Sequence, residues 1–200
     1  MTSVVSICNL GLANIGKQRI DSLDEPTAEA RASRQFYEIV RDTVLQSYPW
    51  SCAGKTIALA QIVNDQPGKW VYAYKRPSDC LKIRWLRPLY SASEPCPLTD
   101  HQEMMIPYDV IGDTFYCNLS PAYLRYTSRL TDPTKFPPLL VDTIGWHLSV
   151  RFAMPLTKDP KVRADAYQFA MQTQSMAEIA DANEVRETSD HDSELVEVRQ

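Results

Sequence analysis

The sequence predicts an α+β protein in which a helical bundle, built from both ends of the chain, carries an inserted antiparallel β region. Apolar residues recur at helical spacing in 2–48 and again in 137–183. The segments between them are short, β-branched and rich in aromatic residues, and turn-forming residues separate them. We therefore divide the chain into one discontinuous helical domain (1–49 and 131–187), a β insert (50–130) and an acidic flexible tail (188–200).

Two helices are predicted before the insert. The first has one buried stripe, formed by Val4, Cys8, Gly11, Leu12 and Ile15. Asp24 or Thr27 can cap the second helix, and Pro49 ends it. Its predicted buried face comprises Ala28, Ala32, Phe36, Ile39, Val40, Val44 and Tyr48. Arg41 is assigned to the opposite, solvated face.

The insert is predicted to be an antiparallel sheet region. Its first strand segment is "KTIALAQIV", residues 55–63, and Gly112-Asp113 has the form of a two-residue hairpin turn. Because no helical crossover separates the strand segments, we expect the strands to be antiparallel. In one segment, apolar residues alternate with charged ones as in a half-buried strand: Leu81, Ile83 and Trp85 with Lys82 and Arg84.

Two helices are predicted after the insert. The third helix begins at Pro137-Pro138 and is interrupted by Pro155, and its apolar residues recur every fourth position, at Leu140, Ile144, Leu148 and Phe152. The fourth has Asp159 as its cap and Pro160 at its first position. Its predicted stripe comprises Ala166, Phe169, Ala170, Thr173, Met176, Ala177 and Ala180.

The charge is concentrated at one end of the chain. Residues 181–200 contain seven acidic and two basic residues and carry −5, whereas the whole chain carries −4. The remaining residues therefore sum to +1, and no cluster of Lys and Arg indicates a nucleic-acid groove. No apolar run is long enough for a membrane helix, and the first residues do not resemble a secretory signal.

The triplet Gly54-Lys55-Thr56 matches the end of a phosphate-binding loop but not the rest of it. Such a loop needs a glycine at the position that Pro49 occupies, and it must join a strand to a helix. Here a predicted helix precedes the triplet and a predicted strand follows it. The sequence therefore predicts a bend into the first strand and excludes a nucleotide-binding loop.

No metal site or catalytic constellation is predicted, and we expect no cofactor. His101, His147 and His191 are far apart, and no paired-cysteine motif occurs. His147 is interpreted as a core or interface histidine whose ring nitrogens have hydrogen-bond partners. Cys80, next to Asp79, is the one position where a Cys–His site can be imagined, but a buried strand cysteine is favoured.

The aromatic residues of the insert are its remaining functional feature. Trp70, Tyr72 and Tyr74 are predicted to share one strand face, and Tyr90 lies in the same insert. A core role is the simplest interpretation, because aromatic residues favour strands. A contact surface is the alternative, because Tyr and Trp are enriched at protein interfaces. Base stacking is less favoured, since no basic groove accompanies these residues.

Several motifs follow one another along the chain. They are the Leu-x-x-Ile-Gly opening at 12–16, "SLDEP" at 22–26, "RD" and "YPW" at 41–50, "YAYKRPSDCL" at 72–81 and "FPP" at 136–138. In this order and spacing, and over roughly residues 7 to 180, the chain resembles the tail tubular protein A family of short-tailed bacteriophages. The sequence departs from the family pattern at Cys52, where a Phe is expected. This departure is a small change in the core.

The resemblance implies a structural, non-enzymatic role in the virion. It implies a twelve-fold ring, docked under the portal protein and receiving the tail nozzle protein, with a channel through which DNA passes without sequence-specific binding. The protein is then made in the host cytoplasm and resides in the neck or tail of the particle, with no membrane partner. The family pattern, a helical bundle with a β insert, agrees with the fold predicted from periodicity.

This role assigns contacts to two regions. The acidic tail becomes a candidate portal contact that folds on docking, through Glu187, Asp190, Asp192, Glu194, Glu197 and Arg199. The aromatic residues Trp70, Tyr72, Tyr74 and Tyr90 become candidate contacts with the nozzle or a neighbouring subunit. Three alternatives stay open: another head-completion or stopper ring protein, a small enzyme that uses Cys80 or the tyrosines, and a peptide- or carbohydrate-binding module.

Overall fold

A computed structural model describes residues 2–88 and 106–184. The helices in these ranges are α1 (Val4–Ala13), α2 (Ala28–Ser47), α3 (Pro138–Phe152) and α4 (Pro160–Glu184). Two of them precede the strands and two follow, and every strand pairing within the described ranges is antiparallel, so the predicted α+β class is confirmed. None of the helices in the described ranges is long and apolar enough to cross a lipid bilayer.

Helix α3 is the centre of the bundle and contacts the other three helices. Its predicted stripe is confirmed, since Leu140, Ile144, Leu148 and Phe152 are each at most 1% exposed. The helix passes into a π-helical turn, Ala153–Thr157, at the interruption predicted from Pro155. Burying one such side chain contributes about 1.5–3 kcal/mol, so this stripe is a main source of the stability of the bundle.

Helices α1 and α3 approach closely at two glycines. A Cβ atom on Gly11 would lie 3.0 Å from both the Gly145 carbonyl oxygen and the Leu148 Cβ. A Cβ atom on Gly145 would lie 2.8 Å from Leu10 Cδ2. The Ser149 hydroxyl donates to the Gly11 carbonyl oxygen at 3.0 Å across the same contact. Because neither glycine has a side chain, the two backbones can approach this closely.

The buried face of α2 differs from the predicted one. Three of the seven predicted positions are buried, but Ala28 is exposed and Ile39 is 58% exposed. The assignment of Arg41 to the solvated face is wrong, since this residue is only 5% exposed. Its guanidinium donates to Asp42 Oδ1 at 2.9 Å and lies 5.8 Å from the centre of the Tyr37 ring. This pairing offsets the cost of burying the charge, which the sequence pattern does not reveal.

The N-terminal caps of the two longest helices follow from the local sequence. Thr27, and not Asp24, caps α2, because its hydroxyl oxygen accepts the Ala30 amide at 3.2 Å. Asp159 caps α4 as predicted, since its Oδ1 accepts the Lys161 amide at 2.8 Å. Each cap satisfies an amide that has no partner within its own helix.

The insert folds into two antiparallel sheets. One has the strand order β1–β7–β4 and the other β2–β3–β6–β5. The strands are β1 (Gly54–Ala58), β2 (Gln61–Ile62), β3 (Tyr72–Lys75), β4 (Cys80–Pro88), β5 (Tyr108–Ile111), β6 (Thr114–Cys117) and β7 (Ala122–Ser128).

The first predicted strand segment, 55–63, is divided between the two sheets. The Leu59 amide donates to the Ala122 carbonyl oxygen beside the first sheet, and the Ala60 carbonyl oxygen accepts the Lys75 amide of the second sheet. The chain therefore changes sheets within two residues. A continuous apolar pattern cannot show this change, because both halves have strand character.

Two further strand predictions have different outcomes. The hairpin turn at Gly112-Asp113 is confirmed, since Ile111 pairs with Thr114 and Gly112 has a φ of +57°. The alternation predicted for Leu81, Ile83 and Trp85 is wrong, because the pairing of β4 with β7 shifts register between Cys80 and Lys82 and between Ile83 and Trp85. Ile83 and Trp85 therefore lie opposite adjacent residues of β7 and face opposite sides of the sheet. Each irregularity changes the face of the sheet toward which the following side chains point.

Hydrogen bonds between polar groups fix the insert against the bundle. The buried carboxylate of Asp181, on α4, accepts the Ser51 amide at 3.1 Å and the Ser51 hydroxyl at 3.0 Å just before β1. Arg84, on β4, donates to the Gln46 carbonyl oxygen of α2 at 3.3 Å. These contacts tie the ends of α2 and α4 to the first sheet.

Candidate functional site

Two of the aromatic residues predicted as contacts are interior residues of the insert. Trp70 is 8% exposed and Tyr74 is 2% exposed, while Tyr72 is half-buried. Trp70 packs with Ala73 and Tyr116, on the sheet face opposite to Tyr72 and Tyr74. The prediction that all three share one face is therefore wrong, because Trp70 precedes β3 and does not follow its alternation. In the isolated chain, Trp70 and Tyr74 therefore present little surface to a partner.

The other predicted contact residues lie outside the described residues. These are Tyr90 of the insert and the whole set in the acidic tail: Glu187, Asp190, Asp192, Glu194, Glu197 and Arg199. His101 and His191 lie outside the described residues as well.

The Gly-Lys-Thr triplet begins β1, and its lysine is engaged in a structural ion pair. Lys55 Nζ donates to Asp79 Oδ2 at 2.6 Å, and the Tyr126 hydroxyl donates to Asp79 Oδ1 at 2.9 Å. Burial by itself raises the pKa of the Asp79 carboxyl, but the two donors outweigh burial and hold this pKa below its ordinary value. The cluster joins β1 and β7 to the turn before β4.

The described residues at the imagined Cys–His site are not arranged for nucleophilic catalysis. Cys80 is buried, and burial raises the pKa of its thiol, so the thiol stays protonated near pH 7. His147, the histidine in the described ranges, lies on α3, with Nε2 2.9 Å from Gln174 Oε1. Burial lowers the pKa of His147. Within residues 2–88 and 106–184, no three His, Cys, Asp or Glu side chains are grouped so that they could hold a metal ion.

Helix α4 carries more large exposed apolar side chains than any other element of the described chain: Tyr167, Phe169, Met171, Met176 and Ile179. Its buried positions include Ala166, Ala170 and Ala177, as predicted. The prediction that Phe169 and Met176 are buried is wrong, because they are 49% and 52% exposed. The small alanines face the bundle, and at about 100° per residue the larger side chains project to either side of them.

On one side of α4, a groove runs between this helix, α2 and α3. This α2-side groove has a volume of about 590 Å³. It is lined by Val40, Thr43, Val44, His147, Val150, Arg151, Met154, Pro160, Arg163, Ala164 and Tyr167. The lining carries two guanidinium groups, from Arg151 and Arg163, and no carboxylate. Neither arginine forms an ion pair with another of the described residues.

On the other side of α4, an apolar face extends toward α1. Trp146 of α3 and Phe169 stack with their ring centres 4.7 Å apart, next to a second, smaller cavity that Ile15 also lines. Met176 lies on the same side of α4, seven residues along from Phe169. We call Trp146, Phe169 and Met176 the α1-side face.

Sequence patterns missed both surfaces. The predicted stripe of α4 adds Phe169 and Met176 to its alanines, whereas the buried positions of the helix are Ala166, Ala170, Ala177 and Asp181. Helical spacing does not separate the alanines from the large side chains that border them. Arg151 and Arg163 stand on different helices, so no sequence spacing brings them together.

In comparisons with known proteins, no protein-family model matches the chain, and no curated protein matches it significantly. The similarity to tail tubular protein A depends on the sequence motifs alone. The function that it implies is therefore a proposal.

Proposed function

We propose that the protein is a structural, non-enzymatic subunit of the head-to-tail adaptor ring of a short-tailed bacteriophage. In this role about twelve copies form a ring in the neck of the virion, between the portal and the tail nozzle. The central channel lets DNA pass without base-specific contacts. The sequence motifs and the arrangement of a helical bundle with a β insert support this role.

The observation that carries the proposal is that α4 has apolar side chains on two different sides. A ring of identical subunits needs heterologous contacts, in which one face of each subunit meets a different face of the next. Tyr167 is 55% exposed beside the α2-side groove, while Met176 is 52% exposed on the α1-side face. Exposed apolar surface of this kind marks interaction sites.

The acidic tail is proposed to contact the portal. Its excess of carboxylates suits a basic or amide-rich surface on a partner, and a polar segment of this composition gains order when it binds. Acidic groups that face the channel would repel the DNA backbone and would not retain it. The tail and the helical faces thus have different partners in this proposal.

The test is reconstitution with the portal ring encoded by the same phage. We expect the full-length chain to bind as a ring with one copy per portal subunit, measured by native mass spectrometry and electron microscopy. The double variant Met176→Asp/Ile179→Asp should assemble about tenfold more weakly, because it places charge in an apolar contact. Both side chains are more than half exposed, so its unfolding free energy should change little.

Gln172→Asp is the matched control. It adds charge to an exposed polar position of the same helix and should assemble like the wild type. The proposal is wrong if the full-length chain does not bind the portal ring. It is also wrong if particles without the protein still join capsid to tail.

A further inference from the structure

The α2-side groove has the chemistry of a site for an acidic peptide with apolar side chains. Its accessible apolar lining comes from Val150, Met154 and Tyr167, since Val40 and Val44 are only 4% and 1% exposed. Arg151 and Arg163 belong to the same lining. Both arginines are exposed, and neither has an ion-pair partner among residues 2–88 and 106–184. A volume of about 590 Å³ is in the range of sites that enclose small ligands or several side chains.

The chain itself contains a segment of matching chemistry. Residues 194–198 read Glu-Leu-Val-Glu-Val, with two carboxylates three residues apart and three aliphatic side chains between and after them. This segment belongs to the stretch 181–200, which carries −5 while the rest of the chain carries +1. Charge therefore favours contact between the segment and the guanidinium groups of Arg151 and Arg163.

The length of the chain allows this contact within one molecule. Tyr167 lies 17 residues before Glu184, which is about 26 Å along helix α4. Leu195 follows Glu184 by 11 residues, which can span up to about 36 Å when extended. The segment 194–198 can thus return along α4 to the groove, and its attachment gives it a high effective concentration there.

We propose that the α2-side groove binds residues 194–198 of the same chain. The aliphatic side chains contact Val150, Met154 and Tyr167, and the two carboxylates pair with Arg151 and Arg163. The inference does not depend on the adaptor ring, because it concerns the isolated subunit. If the ring does form through this side of α4, the segment must leave the groove first, and a portal that binds the tail would favour its release.

A nucleic acid is a poorer occupant. Two guanidinium groups beside Val150, Met154 and Tyr167 neutralise few phosphates, and the chain as a whole is negatively charged. A peptide with aliphatic side chains and two carboxylates can pack on the apolar lining and form ion pairs with both arginines. The site therefore favours the peptide.

The test is a photo-cross-link in the purified full-length chain, without a portal. The photoreactive amino acid p-benzoylphenylalanine replaces Tyr167, which is 55% exposed, or, as the matched control, Phe169, which is 49% exposed on the other side of α4. We expect a monomeric product cross-linked from position 167 to residues 194–198, at about ten times the yield obtained from position 169. A cross-linked dimer, a cross-link to another segment, or equal yields from both positions would overturn the inference.

The second experiment reverses the charge of the two arginines in the groove. Arg151→Glu/Arg163→Glu should reduce the yield from position 167 about tenfold, the effect of losing two exposed ion pairs. Arg19→Glu/Arg31→Glu, which reverses two exposed charges elsewhere, should leave the yield unchanged. Adding Glu194→Arg/Glu197→Arg to the first variant should restore the yield. Failure of this restoration, with the unfolding free energy unchanged, would count against the ion pairs and overturn the site as proposed.

Discussion

The bundle and the insert bury their large side chains in different chemical surroundings. In the bundle, α3 presents Ile144 and Phe152 to other apolar groups, and glycines set the distance to α1. In the insert, buried tyrosines keep hydrogen-bonded hydroxyl groups: Tyr74 donates to the Leu119 carbonyl oxygen at 2.6 Å, and Tyr126 donates to Asp79. The apolar stripe of α3 should therefore respond chiefly to changes of volume, and the tyrosine clusters of the insert also to changes of charge and pH.

The largest effect is expected from a cavity in the bundle. Ile144 is fully buried, and Ile144→Ala should lower the free energy of unfolding by about 2–5 kcal/mol through lost contacts and an unfilled space. Ile39→Ala is the control, because Ile39 is 58% exposed although the sequence pattern predicts it to be buried. It should change stability by less than about 0.5 kcal/mol. Chemical denaturation measures both, and equal losses would contradict the observed orientation of α2.

The next effect tests the junction between the two regions. Asp181→Ala should cost about 1.5–3 kcal/mol, because the Ser51 amide and hydroxyl lose a charged acceptor. Hydrogen exchange should show faster opening around residues 51–58, which connect the bundle to the first sheet. Asp165→Ala, at an exposed position of the same helix, should have neither effect. If hydrogen exchange became faster in α4 but not near Ser51, Asp181 would not be the residue that holds the first sheet to the bundle.

A third effect tests the close approach of α1 and α3. Gly11→Ala should destabilise the protein by about 1–2 kcal/mol, because the new methyl group meets backbone and side-chain atoms at 3.0 Å. The gain in helix propensity, about 1 kcal/mol, offsets part of this cost. Gly68→Ala meets no atom within 4 Å and should leave the melting temperature nearly unchanged. A stabilised Gly11→Ala protein would show that the helices separate at little cost.

The smallest effect concerns charge in the insert. The pKa of Asp79 in the folded chain lies below its ordinary value of 3.8, so the ionised carboxylate favours the folded state. This contribution is complete above about pH 5 and is lost as pH falls through 3.8 toward the lowered pKa. Because the side chains of Asp79 and Lys55 are 35% and 53% exposed, solvent screens the ion pair, and Asp79→Asn should cost less than about 1 kcal/mol at pH 7.

The loss from Asp79→Asn should shrink at pH 3, whereas the loss from Gly11→Ala should be similar at both pH values. Urea denaturation of the two variants and the wild type at pH 7 and pH 3 gives this comparison. A loss from Asp79→Asn that does not vary with pH would mean that the carboxylate is not stabilised by Lys55 and Tyr126.

Local patterns predicted much of the secondary structure, because period and caps are properties of neighbouring residues. The stripe of α3, the cap at Asp159 and the turn at Gly112-Asp113 all depend on a few adjacent positions. Predictions failed where a distant partner decides the outcome. Trp70 packs against Tyr116 of β6, and Leu59 and Ala60 form hydrogen bonds with strands of two different sheets.

By itself, the sequence determined the fold class, the order of helices and strands, and the charge difference between residues 181–200 and the rest of the chain. Only the tertiary structure decided which apolar residues are covered. A buried residue and an exposed contact residue can have the same side chain, and the difference lies in what other parts of the chain place against it. For α4, the alanines bring the helix close to α3, and this approach leaves Tyr167 and Phe169 on opposite sides of the helix with large exposed surfaces.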